Sequence, residues 1–312
     1  MKKKRRKLLR VLLNILFWIS IPVFGQIKVV TTTTDLKYIA DEIGKEKISS
    51  QALIRGFDDP HYVLTRPDFL VKLNTADVFC EIGLDLEIGW SPLLLQQSRN
   101  SKIQKGRDGY CDASSGVKIL GRPTTKVDRS MGDMHIYGNP HYWLDPVNAI
   151  QISVTILETL QRVDTENSEF YKKNQEIFKK KMVQLVKEEM RSFQPYFGSK
   201  VAVFHSEFAY LANRFKFNAD LSLEERPGIP PSNHYLETVI KKMKSSGIKV
   251  ILISPVNNPK YAEFVSSHIP GSIIVTMPTS VGSMKDINTY QDSIHNMLSN
   301  LKSALQKTGS NQ

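Results

Sequence analysis

The spacing of apolar and polar residues predicts short strands that alternate with helices. Residues 27–32 form a short β-branched run, which is typical of a strand. Apolar residues at helical spacing follow between Leu36 and Ile43, with Asp35 before them and Gly44 behind. The alternation continues with strand-like runs at 52–54 and 77–82 and helix-like runs at 67–74 and 86–97. Such alternation favours parallel βαβ units.

The second half of the chain repeats this pattern. Residues 200–204 resemble a strand, and residues 206–214 resemble the helix that follows it. The apolar runs at 250–253 and 273–275 suit parallel strands that are buried on both faces. The second half therefore predicts a second α/β lobe.

A long polar helix is predicted between the two halves. Residues 165–193 contain neither Gly nor Pro and place apolar side chains at roughly helical intervals, and Pro195 and Gly198 end the pattern. A helix of this length spans about 40 Å, since each residue adds about 1.5 Å. Residues 99–140 are the least regular part of the chain and predict a long loop region.

These patterns define the expected fold class. It is an α/β protein of two lobes, each a parallel sheet flanked by helices, joined by one long backbone helix. The expected boundaries are an N-terminal leader segment at 1–25, an N-terminal lobe at 26–164, a linking helix at 165–194 and a C-terminal lobe at 195–312. A chain of 312 residues is long enough for two such domains.

The net charge of +11 does not indicate a nucleic-acid partner. Seven basic residues lie within the first ten positions, and without them the formal charge falls to +4. An apolar run at 11–25 follows, which predicts an export signal and a periplasmic protein. The alternative is an uncleaved membrane anchor, although the run is short and contains Pro22. No Cys follows the run, so a lipid-attached N-terminus is not expected.

The chain has two cysteines, Cys80 and Cys111. An exported protein meets an oxidising compartment, where the two could form a disulfide bond. Because Cys80 lies in an apolar run, a buried free thiol is an equally good interpretation. The sequence leaves both alternatives open.

Three of the seven histidines occupy similar positions. His61, His141 and His205 each lie at a predicted junction before a helix. In parallel α/β sheets these junctions meet at the carboxyl edge of the sheet, where ligands bind. Each histidine alone could be a surface or capping residue. Together, three imidazoles that converge from two lobes predict a transition-metal site, since neutral imidazole nitrogen suits zinc and its neighbours.

The same residues carry a resemblance to a known family. The Pro-His pair at 60–61, the segment Pro-His-Tyr-Trp-Leu-Asp-Pro at 140–146 and the segment Val-Phe-His-Ser-Glu-Phe-Ala-Tyr-Leu at 203–211 resemble the periplasmic zinc/manganese-binding proteins of ABC importers. The resemblance covers nearly the whole mature chain. It implies two α/β lobes joined by a backbone helix, His61, His141 and His205 as ligands of Zn²⁺ or Mn²⁺, and a membrane ABC permease as partner. A monomer is expected.

The sequence departs from the family pattern at the fourth ligand. Family members often supply an Asp from a late loop, where this chain offers only Thr279. Water, Glu207, Glu224 or Asp286 are the other candidates. Three histidines with a water would suit zinc better than manganese, which prefers oxygen ligands.

A second departure weakens the zinc assignment. Many zinc-specific relatives carry a histidine-rich loop in the first lobe, and here that region offers only His135. His135 is expected to be a solvated loop residue or, less favoured, a low-affinity entry ligand. His234, His268 and His295 are expected to be structural or surface residues.

Two other functions compete with metal transport. A zinc hydrolase also uses three histidines and a water. The chain lacks His-Glu-x-x-His, and no Pro-Cys-x-x-Cys follows His205-Ser206-Glu207, as a zinc deaminase would require. The other alternative is a surface adhesin built on the same fold. The sequence therefore favours a binding protein over an enzyme.

Overall fold

A computed structural model describes residues 25–124 and 131–309. The first half contains a parallel sheet in the order β2-β1-β3-β4. Its strands are β1 (Ile27–Thr31), β2 (Ile48–Ala52), β3 (Val78–Glu81) and β4 (Tyr110–Asp112). The second half contains another parallel sheet in the equivalent order β6-β5-β7-β8. Its strands are β5 (Lys200–Val203), β6 (Asn218–Ser222), β7 (Val250–Ile253) and β8 (Ile273–Thr276).

Helices flank both sheets. Those of the first half are α1 (Thr34–Gly44), α2 (Pro67–Asn74), α3 (Ser91–Gln97) and α4 (Pro146–Val163). The long α5 (Ser168–Phe193) follows, and the second half adds α6 (Ala209–Phe215), α7 (Asn233–Ser246), α8 (Pro259–Ser267) and α9 (Tyr290–Thr308). Within the described residues no helix is long and apolar enough to cross a membrane. The signal peptide predicted at 1–25 lies outside the described residues except for Gly25.

Local signals explain where several helices begin. The side chain of Asp145 accepts a hydrogen bond from the backbone N–H of Val147 at 2.9 Å, and Pro146 fills the first turn of α4. Thr289 and Asp292 form a reciprocal capping box at the start of α9. These caps satisfy backbone donors that have no partner inside the helix.

Helix α5 contacts both halves of the molecule. On one side, Asn174 donates to the carbonyl of Ile43 at 3.0 Å, and Gln175 donates to Ser153 Oγ at 3.1 Å. On the other side, Glu189 Oε1 lies 2.6 Å from Nδ1 of His295 on α9. The prediction of two α/β lobes joined by a backbone helix is therefore confirmed. The residue boundaries assigned to the lobes stay a prediction.

The two halves share one apolar core. Alternate residues of each central strand point to opposite faces, so Val29 and Val203 enter the shared core, which also takes in Phe178 and Phe193 of α5. The other faces pack on separate outer cores, one around Val30 and one that includes Ala202 and Phe204. A continuous core between the halves, close-packed like other protein interiors, resists large hinge movements.

Several predicted boundaries were wrong. The second strand is Ile48–Ala52 and ends where the prediction began, at 52–54. The helix predicted at 86–97 begins only at Ser91, with Pro92 in its first turn. Proline has no backbone N–H and is tolerated in the first turn of a helix but not in its interior. The long helix begins at Ser168, after a 3₁₀ turn at Thr165–Asn167. The irregular stretch 99–140 also contains β4.

Cys80 and Cys111 form a disulfide bond in this structure. They lie directly opposite each other on the neighbouring strands β3 and β4, with their Cα atoms 4.4 Å apart. That separation lies within the range that a disulfide bond can span. The register between β3 and β4 thus favours the disulfide bond over the buried free thiol, a choice that the sequence left open.

Candidate metal centre

A short turn orients His61. The carboxylate of Asp59 accepts two hydrogen bonds from this histidine, one from the backbone N–H and one from ring Nδ1, both at 2.9 Å. Pro60 lies between them and restricts the backbone, and its carbonyl accepts a hydrogen bond from Trp90 Nε1 at 2.9 Å. The ring is therefore fixed by the residue two positions before it.

His141 uses the same arrangement with a neutral partner. Asn139 Oδ1 accepts from the backbone N–H and from ring Nδ1 of His141, both at 2.9 Å. The amide Nδ2 of Asn139 donates to the carbonyl of Ser206 at 2.8 Å, next to His205. The turn that orients His141 is thus attached to the other half of the molecule.

His205 lies two residues beyond the end of β5, and its anchor is distant in sequence. Its Nδ1 lies 2.7 Å from Oε2 of Glu224, which follows β6. The same carboxylate oxygen accepts from the backbone N–H of Gly228 at 3.1 Å. Because β5 and β6 are neighbours in one sheet, the fold brings residues nineteen positions apart into contact.

The three predicted histidines meet between the two halves. One nitrogen of each lies within 4.8 Å of the corresponding nitrogen of the others. The ring centroids are separated by 5.2 Å for His61 and His141, 5.5 Å for His61 and His205, and 5.1 Å for His141 and His205. Because Asp, Asn and Glu oxygens accept a hydrogen bond from each Nδ1–H, every Nε2 keeps a free lone pair.

The space beside these rings is small. A cavity of about 70 Å³ is lined by the three histidines and also by Trp143, Glu207 and Thr279, among others. The rings of Trp143 and His141 are 5.3 Å apart, and Trp143 Nε1 donates to the carbonyl of Thr279 at 2.9 Å. Sites for organic ligands usually measure at least about 300 Å³. The cavity therefore suits an ion better than an organic substrate.

Burial favours neutral imidazole at this site. Burial, together with the neighbouring His205, His61 and His135, holds the pKa of His141 well below its ordinary value. Burial opposes ionisation of Asp59, but its hydrogen bond with His61 holds the pKa of this carboxyl below the ordinary value. A neutral imidazole beside an ionised acceptor is the state that binds a metal ion.

The candidates for a fourth ligand differ in position. Asp286 is exposed and does not line the cavity. Glu224 lines it, but its Oε2 already binds His205 and Gly228. Glu207 is buried, and its Oε1 has no hydrogen-bond partner among the described residues. Burial raises the pKa of Glu207 to about 7.

His135 lies beside the three histidines of the candidate metal centre. The sequence had favoured a solvated loop position for it. Its ring centroid is 5.4 Å from that of His61, and its Nε2 is buried with no hydrogen-bond partner among the described residues. Burial, with His61 and His205 nearby, lowers the pKa of His135 to about 3. The expectation of a solvated residue was wrong, because the chain folds back over the site.

The other histidines lie elsewhere. His234 and His268 are exposed, and Nδ1 of His268 lies 2.8 Å from the carbonyl of Phe264. His295 pairs with Glu189 on the outer surface. Their expected surface or structural roles fit these positions.

The residues that orient the three rings were not predicted in that role. A local signal existed for two of them, because Asp59-Pro60-His61 and Asn139-Pro140-His141 share an Asx-Pro-His pattern. Asx side chains commonly accept hydrogen bonds from backbone two residues on. Glu224 was considered only as a ligand, and no local pattern connects it to His205.

The fold and this site define a two-lobed α/β protein with a histidine cluster between its lobes. Residues 29–304 match the model of the family described as zinc-uptake complex component A, periplasmic. The match covers most of the chain, and the protein belongs to this family.

Sequence relatives include importer components for two metals. The chain is 24% identical over 249 residues to the manganese ABC transporter substrate-binding lipoprotein PsaA of Streptococcus pneumoniae, covering 78% of each protein. It is 28% identical over 167 residues to the high-affinity zinc uptake system protein ZnuA of Brucella suis biovar 1, covering 54% of this chain and 50% of ZnuA.

Solved structures share the fold. A ZnuA deletion mutant with zinc bound superimposes with a TM-score of 0.76 at 22% identity, covering 90% of this chain and 98% of the other. A cadmium-bound periplasmic metal-binding protein from Candidatus Liberibacter asiaticus gives a TM-score of 0.73 at 20% identity, covering 89% and 98%. At these identities the likeness concerns the fold alone.

Proposed function

We propose that this protein captures one divalent transition-metal ion, zinc before manganese, with His61, His141 and His205 as ligands. The observation that carries the proposal is the convergence of the three imidazoles, each with its Nδ1 bonded to an acceptor oxygen. Each Nε2 can then point at one ion. An ion-sized cavity between the lobes fits this cargo.

The ligand chemistry favours zinc over manganese. Imidazole nitrogen suits zinc, whereas manganese prefers sites rich in carboxylate, carbonyl and water oxygen. Names among the relatives support both metals, manganese for PsaA and zinc for ZnuA. We place zinc before manganese because the three proposed ligand atoms are all imidazole nitrogens.

Delivery to an importer follows from family membership. The relatives named above are substrate-binding components of ABC transporters or uptake systems. We therefore assign a membrane ABC permease as the partner and place the protein outside the cytoplasm, exported by residues 1–25. The working form that we propose is a monomer that transports an ion, with no nucleic-acid partner and no catalysis of its own.

Metal content and turnover together test this function. Protein purified from its own compartment should contain close to one zinc ion per chain by elemental analysis. The zinc-loaded protein should hydrolyse no ester, amide or amidine substrate faster than free zinc does. Zinc-dependent turnover would favour the hydrolase alternative, and a protein without any bound transition metal would contradict the proposal.

A further inference from the structure

A short segment before His141 connects the two halves directly above the histidines. We call residues 131–135 the strap. The backbone N–H of Asp133 donates to the carbonyl of Pro227 in the second half at 2.7 Å. The carboxylate of Asp133 accepts from the hydroxyl of Tyr62, next to His61, at 2.6 and 2.7 Å. The strap is therefore bonded to both lobes.

Two glycines allow this close approach. A Cβ on Gly132 would lie 2.2 Å from the carbonyl oxygen of Pro227, and one on Gly228 would lie 1.8 Å from Oδ2 of Asp133. Both residues also have positive φ, which glycine adopts without strain. The local sequence thus fixes where the strap lies and what it carries.

The strap carries His135 to the metal centre. Its ring lies 5.4 Å from that of His61, within the 5.1–5.5 Å that separate the three predicted ligands from one another. Its Nε2 is buried and has no hydrogen-bond partner among the described residues, as is also true of Nε2 of His61. A buried nitrogen without a partner costs free energy unless something else binds it.

Glu207 is the main rival for the same role. It is buried, and its Oε1 also lacks a partner among the described residues. A hydrogen bond with Ser254, at the end of β7, holds its carboxyl group in the second half. The His135 ring lies as far from the His61 ring as the three predicted ligands lie from one another, and we therefore favour the imidazole.

We propose that His135 is the fourth ligand of the captured metal ion. This inference rests on the proposed function. The group of ligand atoms that lie within 4.8 Å of one another comprises His61, His141 and His205, so we expect the His135 ring to move inward when the ion binds. Four imidazoles would replace the three-histidine and water arrangement, and they would increase the preference for zinc over manganese.

Nitrogen NMR of the full-length chain labelled with ¹⁵N-histidine tests the proposal. One equivalent of Zn²⁺ should shift the Nε2 resonances of His61, His135, His141 and His205. The His135→Ala variant should lose one shifted resonance and bind Zn²⁺ about 10- to 100-fold more weakly. This loss is smaller than that expected for His61, His141 or His205, because a water molecule can take the fourth position when the imidazole is removed. The Mn²⁺ affinity of His135→Ala should fall less.

Three further variants separate the alternatives. His234→Ala, at an exposed position that does not line the cavity, is the matched control and should bind Zn²⁺ as the parent does. Gly132→Ala should displace the strap and remove the shift of His135 while its imidazole is still present. In Glu207→Gln the four shifted resonances should remain.

The outcomes also separate this proposal from the proposed function. If Zn²⁺ shifts His61, His141 and His205 but leaves His135 unchanged, the fourth-ligand proposal is wrong and the metal site stands. A large loss of affinity in Glu207→Gln with none in His135→Ala would assign the fourth position to Glu207. If none of the four resonances shifts, the proposed function itself fails.

Discussion

The histidines that the two halves contribute to the candidate metal centre are oriented in different ways. In the first half, His61 and His141 are each held by an Asx side chain two residues earlier, with Pro between them. In the second half, His205 is held by Glu224, nineteen residues later and on the loop after the neighbouring strand. The first arrangement is local to a short peptide, whereas the second exists only when the sheet has formed.

The two halves therefore differ in which parts of the chain must be folded before their histidine rings are oriented. In the Asx-Pro-His turns the acceptor of each ring lies only two residues from it, so ring orientation does not require a distant part of the chain. The Glu224 carboxylate also accepts from Gly228, so it orders the loop that contacts the strap as well as the ring of His205. The second half thus couples ring orientation to the tertiary structure.

The largest expected effect comes from removing a ligand. His61→Ala, His141→Ala and His205→Ala should each weaken Zn²⁺ binding by at least about 100-fold, since loss of a direct ligand should cost no less than loss of its partner. Competition with a chelator of known affinity measures this. His295→Ala, on the outer surface, is the control and should change little. Equal losses in all four variants would contradict the assignment.

The next largest effect is expected from removing one of the anchors, by which we mean the three residues whose oxygens accept from Nδ1 of the histidines. The size of each loss shows whether a local and a distant acceptor matter equally. Asp59→Ala, Asn139→Ala and Glu224→Ala should each lower Zn²⁺ affinity by about 10- to 100-fold, because a ring without its acceptor loses orientation and basicity. The loss should be greatest for Glu224→Ala, whose carboxylate also holds Gly228. Glu224→Gln, which keeps an acceptor oxygen, should recover part of the affinity. Full affinity in all three alanine variants would show that orientation does not limit binding.

The anchors should also set the pH dependence of binding. Protonation of an imidazole competes with the metal, so Zn²⁺ affinity should fall as the pH drops below about 6. Because the pKa of His141 is lowered, this residue stays neutral there and contributes little to the fall. Asn139→Asp should change this, since a carboxylate stabilises imidazolium and raises the pKa of His141.

Titration calorimetry at several pH values measures this effect. The affinity of Asn139→Asp should begin to fall at a higher pH than that of the parent, and more protons should be released on binding at pH 6. An affinity that stays flat down to pH 5 in the parent would indicate carboxylate ligands in place of histidine.

The smallest effect on Zn²⁺ binding is expected when an ion pair between the two halves is removed, because this ion pair does not contact the ring nitrogens. Arg214 donates two hydrogen bonds to the carboxylate of Asp145, at 2.8 and 2.9 Å, and Asp145 is buried. Arg214→Ala should lower the free energy of unfolding by about 2 kcal/mol, between values for exposed and buried pairs. Zn²⁺ affinity should stay nearly unchanged. Denaturant unfolding of the metal-free protein measures the change in the free energy of unfolding. A large loss of Zn²⁺ affinity in this variant would show that the ion pair also contributes to metal binding.

Much of the fold could be predicted because its signals are local. Short β-branched runs, helical spacing and the absence of Gly and Pro from 165–193 predicted strands, helices and the backbone helix. The errors fell at boundaries, as at 86–97, where the helix begins only at Ser91 with Pro92 in its first turn. Apolar spacing alone does not show where a helix starts.

Residues close together in the chain are enough to specify the α/β alternation, the positions of the three histidines at junctions before helices and the turns that orient two of them. The pairing of Cys80 with Cys111, the contact of Glu224 with His205 and the position of His135 beside His61 arise only in the folded protein. These contacts depend on strand register and on a segment that folds back between the lobes. Distances of that kind are set by packing of the whole chain, and the order of residues along it does not reveal them.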